Sequence, residues 1–212
     1  MKHLGILLSG RGSNFLAIAD AIDRGQIDDA EISIVISNRA EAAGIAAARG
    51  RGLAAQVIEA RGRKRAEQDA EIVACLQEHG AELICLAGYM RLLSPEFIAA
   101  FPNAILNIHP SLLPSFPGLD AQAQAIAYGV AISGCTVHFV DEQLDHGVIV
   151  LQRAVPVLQG DDEETLSGRI LEQEHIAYPE AISKVLSGNY AIVDRRYVAR
   201  ASQSAALIEG AK

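Results

Sequence analysis

Cysteine is scarce in this chain, and its placement excludes more than its number does. Cys75, Cys85 and Cys135 are odd in count and form no CxxC pair, so neither a disulfide framework nor a thiolate zinc site is expected. The three read as buried, reduced thiols. Long apolar stretches are missing too. Runs such as Leu83 to Ala87 have the length of a strand, far short of the roughly 20 residues of a membrane span. Positive charge is also in short supply: 18 Lys and Arg stand against 26 Asp and Glu, a net charge of −8. That balance argues against a broad nucleic-acid surface. It leaves room for a small anion, which a helix N-terminus can hold against the overall field.

What is present points to a globular α/β protein. Half of the 212 residues are hydrophobic, and Gly and Pro are ordinary in number at 18 and 7, so disorder is not expected. The length suits one sizeable core. We expect a single domain over residues 1–200 and a loosely held tail over 201–212. The opening Met1-Lys2-His3-Leu4-Gly5-Ile6-Leu7-Leu8-Ser9 meets Gly10-Arg11-Gly12 at once. It reads as a first strand and not as a secretory signal, which makes the cytoplasm the default location.

Apolar runs recur at Leu4–Leu8, Ile32–Ile36, Leu83–Ala87 and Ala104–Ile108, with a shorter one at Leu53–Ile58. Segments of helical spacing lie between them, at Phe15–Ile22, Ala42–Arg49 and Ala66–Glu78. Alternation of this kind predicts a mostly parallel, twisted sheet with helices on both faces. After Pro117 the order changes. Ala121–Tyr128 reads as a helix, and Cys135–Val140 with Val148–Val157 as an antiparallel pair added to the sheet. Asp161-Asp162-Glu163-Glu164 opens a long helix with an acidic first turn. It runs to about Leu186, with a break or kink expected at Pro179. Tyr190–Val193 and Arg196–Val198 read as a terminal hairpin.

The most telling stretch is Asn107-Ile108-His109-Pro110-Ser111-Leu112-Leu113-Pro114. Residues two apart in a strand share a face, so Asn107 and His109 project together from a strand end. One offers amide hydrogens and the other a proton near neutral pH. Downstream, Asp141-Glu142-Gln143-Leu144-Asp145-His146-Gly147 forms a turn-rich loop that can place a carboxylate beside the histidine. Spacing alone leaves Asp141, Glu142 and Asp145 open for that role. Near the start, Ser9-Gly10-Arg11-Gly12-Ser13-Asn14 joins a strand to a helix. Its backbone amides and polar side chains suit a phosphate, although a tight turn with Ser13 as helix cap explains it equally well. It lacks the third glycine of a dinucleotide fingerprint and the Lys-Ser/Thr end of a P-loop.

Together these stretches resemble the phosphoribosylglycinamide formyltransferases, folate-dependent enzymes of purine synthesis. The landmarks are LLSGRGSN, AGYMRLLSPEF at 87–97, LNIHPSLLPSFPG at 106–118, GCTVHFVDEQLDHGVIVLQ at 134–152 and EQEHIAYP at 172–179. The resemblance implies a Rossmann-like formyltransferase fold. It also implies transfer of the formyl group of 10-formyltetrahydrofolate, a co-substrate, to the amine of glycinamide ribonucleotide (GAR), with no permanently bound cofactor and no metal. Asn107, His109 and Asp145 match the catalytic trio. Gly12, Ser13, Asn14 and Glu174 match positions that hold GAR. Arg65, Met90, Arg91, Leu92, Leu93 and Asn107 match the folate side. Small-molecule substrates are thus the expected partners, with neither nucleic acid nor membrane, and the assembly a monomer or homodimer. One departure stands out: relatives often carry a histidine shortly after the PG turn, where this chain reads Pro117-Gly118-Leu119-Asp120-Ala121-Gln122.

Simpler roles compete for most other residues. His138 reads as a hydrogen-bonded wall residue near the site, and His3, His79 and His146 as surface residues. Among Arg61, Arg63, Lys64 and Arg65 only Arg65 is singled out, for a folate carboxylate. Met90 and Leu92 would be core by default. Asp145 beside His109 is expected to raise the histidine pKa while its own falls. Two other readings remain open: another formyl-group enzyme, such as a formyltetrahydrofolate deformylase or a methionyl-tRNA formyltransferase, and a noncatalytic nucleotide-binding module. The formyl-group rivals usually carry an extra domain for which 212 residues leave no room, and the acidity disfavours tRNA.

Overall fold

The computed structural model describes residues 1–200, so the expected tail at 201–212 lies outside the described residues. Seven strands form one sheet in the order β3-β2-β1-β4-β5-β6-β7. These are β1 (Lys2–Leu8), β2 (Ala30–Ser37), β3 (Ala55–Val57), β4 (Leu83–Leu86), β5 (Ile105–His109), β6 (Ile132–Phe139) and β7 (Ile149–Pro156). The first five pair in parallel, whereas β6 runs antiparallel to β5 and to β7. The expected antiparallel addition is therefore present. Strand order reverses between β1 and β4, the switch point at which ligands of open α/β sheets bind, beyond the carboxyl ends of the strands.

Helices cover both faces, as the alternating side chains require. Along β1, Leu4, Ile6 and Leu8 enter one core with Phe15 and Ile18 of α1 (Ser13–Asp23) and Ile170 and Tyr178 of α6 (Glu163–Leu186). Leu7 enters the other, with Ile72 and Leu76 of α3 (Arg65–Glu78). Gly5 permits that second contact, since a Cβ there would lie 2.4 Å from a Leu76 methyl. The remaining helices are α2 (Ala43–Gly50), α4 (Pro95–Ala100) and α5 (Ala121–Tyr128), and β8 (Tyr190–Val193) with β9 (Arg196–Ala199) makes the terminal hairpin. All three cysteines are free and buried. None of the described helices is long and apolar enough to cross a membrane.

Two details depart from expectation. Helix α6 is continuous across Pro179 and does not break there. The ring costs one backbone hydrogen bond, but the surrounding turn is pinned: buried Tyr178 donates its hydroxyl to the carbonyls of Leu86 (3.1 Å) and Leu106 (2.9 Å) on β4 and β5. Short α4 was not anticipated. Its signal was local, Ser94 capping Phe97 N–H at 3.2 Å with Pro95 at the first helical position.

Candidate active site

Two loops at the carboxyl edge of the parallel strands, and one that leaves the sheet beside the start of β5, build the site. The first follows β1. Gly12 takes φ 78°, and a Cβ on it would lie 2.8 Å from Cα of Gly44, so the turn closes against the first turn of α2. Gly44 N–H in turn donates to Gly10 O at 3.1 Å. Gly12, not Ser13, stands at the N-cap of α1, and no side chain caps it. Ser13 as helix cap is thereby corrected: it is the first helical residue, and the amides of this turn stay available to an anion. Asn14 is buried and donates Nδ2–H to Glu174 Oε2 at 2.8 Å, while its Oδ1 has no hydrogen-bond partner. Burial pushes the Glu174 carboxyl above its ordinary pKa, with the Asn14 hydrogen bond opposing.

The second loop joins β6 to β7 and folds back so that Asp145 meets β5. Asp145 sits at φ 48°. Its Oδ2 accepts Gly118 N–H at 2.8 Å and lies 3.3 Å from His109 Nδ1, while Oδ1 lies 3.7 Å from His138 Nε2. Register places Asn107 opposite His138 across β5 and β6, and Asn107 Nδ2 lies 3.2 Å from His138 Nε2. Asn107, His138, Asp145 and His109 thus form one connected set. Asp141 is already engaged, its Oδ2 with His146 Nδ1 at 2.8 Å and its Oδ1 with Gln143 N–H at 2.9 Å. His146 is therefore more than a free surface residue. Arg195 of the hairpin also donates to its carbonyl at 2.5 Å.

Backbone carbonyls set the proton positions on both histidines. A carbonyl only accepts, so the 2.8 Å contact of His138 Nδ1 with Phe139 O requires a proton on Nδ1. In neutral His138, Nε2 is then bare and accepts from Asn107. Likewise the 2.8 Å contact of His109 Nε2 with Phe116 O puts a proton on Nε2, and Nδ1 lies on the other edge of the ring, toward Asp145. The expectation of a raised His109 pKa is overturned. Burial lowers it, outweighing the opposing Phe116 carbonyl and Asp145, and His138 lowers it further. Burial alone would raise the Asp145 carboxyl, but His138, the Gly118 N–H and His109 together hold it below its ordinary value.

The third loop follows β4. Met90 and Leu92, core by default in the sequence, are exposed at 64% and 56%, whereas Leu93 packs against the second core. Arg65 is exposed at the start of α3. Arg63 pairs with Glu71 at 2.7 Å, the ordinary role expected of it. A crevice of about 430 Å³ opens beside this loop, lined among others by Asn38, Arg39, Arg61, Met90 and Arg91. Asn38 and Arg39 carried no signal in the sequence, because their place depends on β2 lying next to β1. Asp120, after the PG turn, takes φ 55° at the N-cap of α5 without capping it.

Buried His109, with half-buried Asn107 and Asp145, lies beside an anion-ready turn and makes this the candidate site. The chain belongs to the formyl transferase family, which it matches over residues 2–182. It is 40% identical to the phosphoribosylglycinamide formyltransferase of Escherichia coli over 187 residues, covering 88% of each. The human trifunctional purine biosynthetic protein adenosine-3 is 46% identical over 187 residues, and the matched part is only 18% of that longer protein. A crystal structure of glycinamide ribonucleotide transformylase 1 from Symbiobacterium toebii superposes with a TM-score of 0.92 at 48% identity, over 95% of both chains. A formyltetrahydrofolate deformylase from Pseudomonas syringae shares the fold at a TM-score of 0.88 and 24% identity.

Proposed function

We propose that this enzyme transfers the formyl group of 10-formyltetrahydrofolate to the amine of GAR in purine biosynthesis, in the cytoplasm. The observation that carries the reading is the convergence of Asn107, His109 and Asp145, with a carbonyl oxygen already seated on His109 Nε2. The GAR phosphate sits on the Gly12–Ser13 turn, and Asn14 with Glu174 offers polar groups to the rest of the ribonucleotide. The donor lies along Met90–Leu93, whose exposed apolar side chains wall a flat ring. Arg65 and Arg91 face its carboxylates.

Amines of this type are largely protonated near neutral pH, with ordinary values of about 7.7–8.0. GAR bound as the ammonium form loses one proton to solvent, and the free amine is the nucleophile. The amine attacks the formyl carbon. The formyl oxygen takes the place of the Phe116 carbonyl on His109 Nε2–H, and the second amide hydrogen of Asn107 also serves it. Asp145 passes the proton of the attacking nitrogen toward the folate nitrogen, directly or through water, and that nitrogen leaves as N–H when the carbonyl re-forms.

A spectroscopic assay of purified protein with both substrates tests the reading. Formyl transfer that requires GAR is expected. Formate release without GAR, and no transfer with it, would assign the site to hydrolysis.

A further inference from the structure

The loops assigned to the two substrates are stitched together by one residue. Ser9, the first residue beyond β1 and 3% exposed, donates its backbone N–H to Gly88 O at 3.0 Å. Its hydroxyl accepts Met90 N–H at 2.8 Å and donates its one proton to Asn38 Oδ1 at 2.6 Å. The carboxyl ends of β2, β1 and β4 therefore meet at a single buried hydroxyl. On one side the chain continues directly into the Gly10–Asn14 turn. On the other lies the Gly88–Leu93 loop, whose Met90 shares a crevice wall with Asn38.

We propose that Ser9 is a positioning residue coupling the two substrate sites, so that GAR bound at the glycine turn strengthens binding of the folate donor, and the reverse. The inference rests on the function proposed above. Anion binding fixes the amides of residues 10–13, and through them the Ser9 backbone. Fixed Ser9 holds Met90 N–H and Gly88 O in the geometry the donor loop needs. The ordering cost of that loop is then already met when the second ligand arrives. Linkage makes the effect equal in both directions. A hydroxyl is required because only it accepts from Met90 while donating to Asn38.

Calorimetry on the full chain tests this, using GAR and tetrahydrofolate, which has no formyl group to lose. In the wild-type protein, saturating GAR should tighten tetrahydrofolate binding by about fivefold or more, a typical coupling. Ser9→Ala should reduce that ratio to below about twofold, and Ser9→Thr, which keeps the hydroxyl, should retain more of it. As a measurement independent of any variant, GAR alone should slow amide exchange at residues 88–93 of the wild-type protein. A wild-type ratio of one, an undiminished ratio in Ser9→Ala, or unchanged exchange at 88–93 would each overturn the coupling. If GAR binds and is formylated without coupling, only this inference fails. If GAR does not bind at all, the proposed function fails with it.

Discussion

Replacing Asp145 by Asn removes a charge while keeping a side chain of the same shape and an oxygen for Gly118 N–H. The lost quantity can be sized from the geometry. His109 Nδ1 and Asp145 Oδ2 are 3.3 Å apart, with only 6% and 8% of their side-chain surfaces exposed. At an effective dielectric of about 20, an imidazolium and carboxylate at that separation attract by about 5 kcal/mol before desolvation. Burial opposes this, since it holds His109 below its ordinary pKa even with Asp145 present. If about half the attraction acts on the imidazolium formed in the transition state, its loss lowers kcat by about a hundredfold. The pH profile carries a sign. The attacking amine must be unprotonated, so kcat/KM falls on the acid side with the ordinary amine value of about 8, in both proteins. Asp145 favours the protonated histidine, so Asp145→Asn should move the titration of His109, followed by NMR of the free protein, to lower pH. Rates across pH and the NMR titration of both proteins decide it. A kcat within about threefold of wild type, or a His109 titration that stays put or rises, would refute the assignment.

Other outcomes follow from the same geometry. Asn107→Ala should lower kcat by about a hundredfold with little change in KM, because its amide acts on charge that appears only in the transition state; steady-state kinetics separate the two. Asn14→Ala should weaken GAR binding and leave tetrahydrofolate binding nearly unchanged, checked by titrating each ligand alone, since Asn14 ties α1 to Glu174 and not to the β4 loop. Tyr178→Phe should cost about 1–3 kcal/mol in denaturant unfolding, because two buried carbonyls lose their shared donor. Gly12→Ala should lower both stability and GAR affinity, since φ 78° and a 2.8 Å approach to Gly44 leave no room for a methyl group.

The strands and helices were legible because each carries its own period. Leu4, Ile6 and Leu8 alternate with Leu7 across the sheet, and α1, α3 and α5 fall within two residues of the spans read from spacing. The polar pair on β5 was equally legible, because Asn107 and His109 need only the twofold repeat of a strand to share a face. Pairings across long separations were not. Gly118 N–H to Asp145 spans 27 residues, Asn107 to His138 spans 31, and Met90 N–H to Ser9 spans 81. Each depends on which strands are neighbours, and no local pattern reports that. Met90 and Leu92 illustrate the same limit: apolar residues after an apolar strand look like core until the loop is seen to leave the sheet edge.

The His109 pKa shows why identifying the partners of a catalytic group does not settle its charge. From the sequence, a carboxylate beside a histidine implies an imidazolium, and the ion pair alone would argue the same. Burial enters with opposite sign and wins, and it is a property of everything packed around the ring. The consequence reaches the mechanism. The Nε2 proton is held by the Phe116 carbonyl, so the ring is already oriented to donate before substrate arrives. Burial disfavours a standing positive charge on that ring, while Asp145 beside Nδ1 favours the charge it gains as the formyl oxygen becomes negative. The carboxylate therefore acts most strongly in the transition state, where the oxyanion draws on the Nε2 proton.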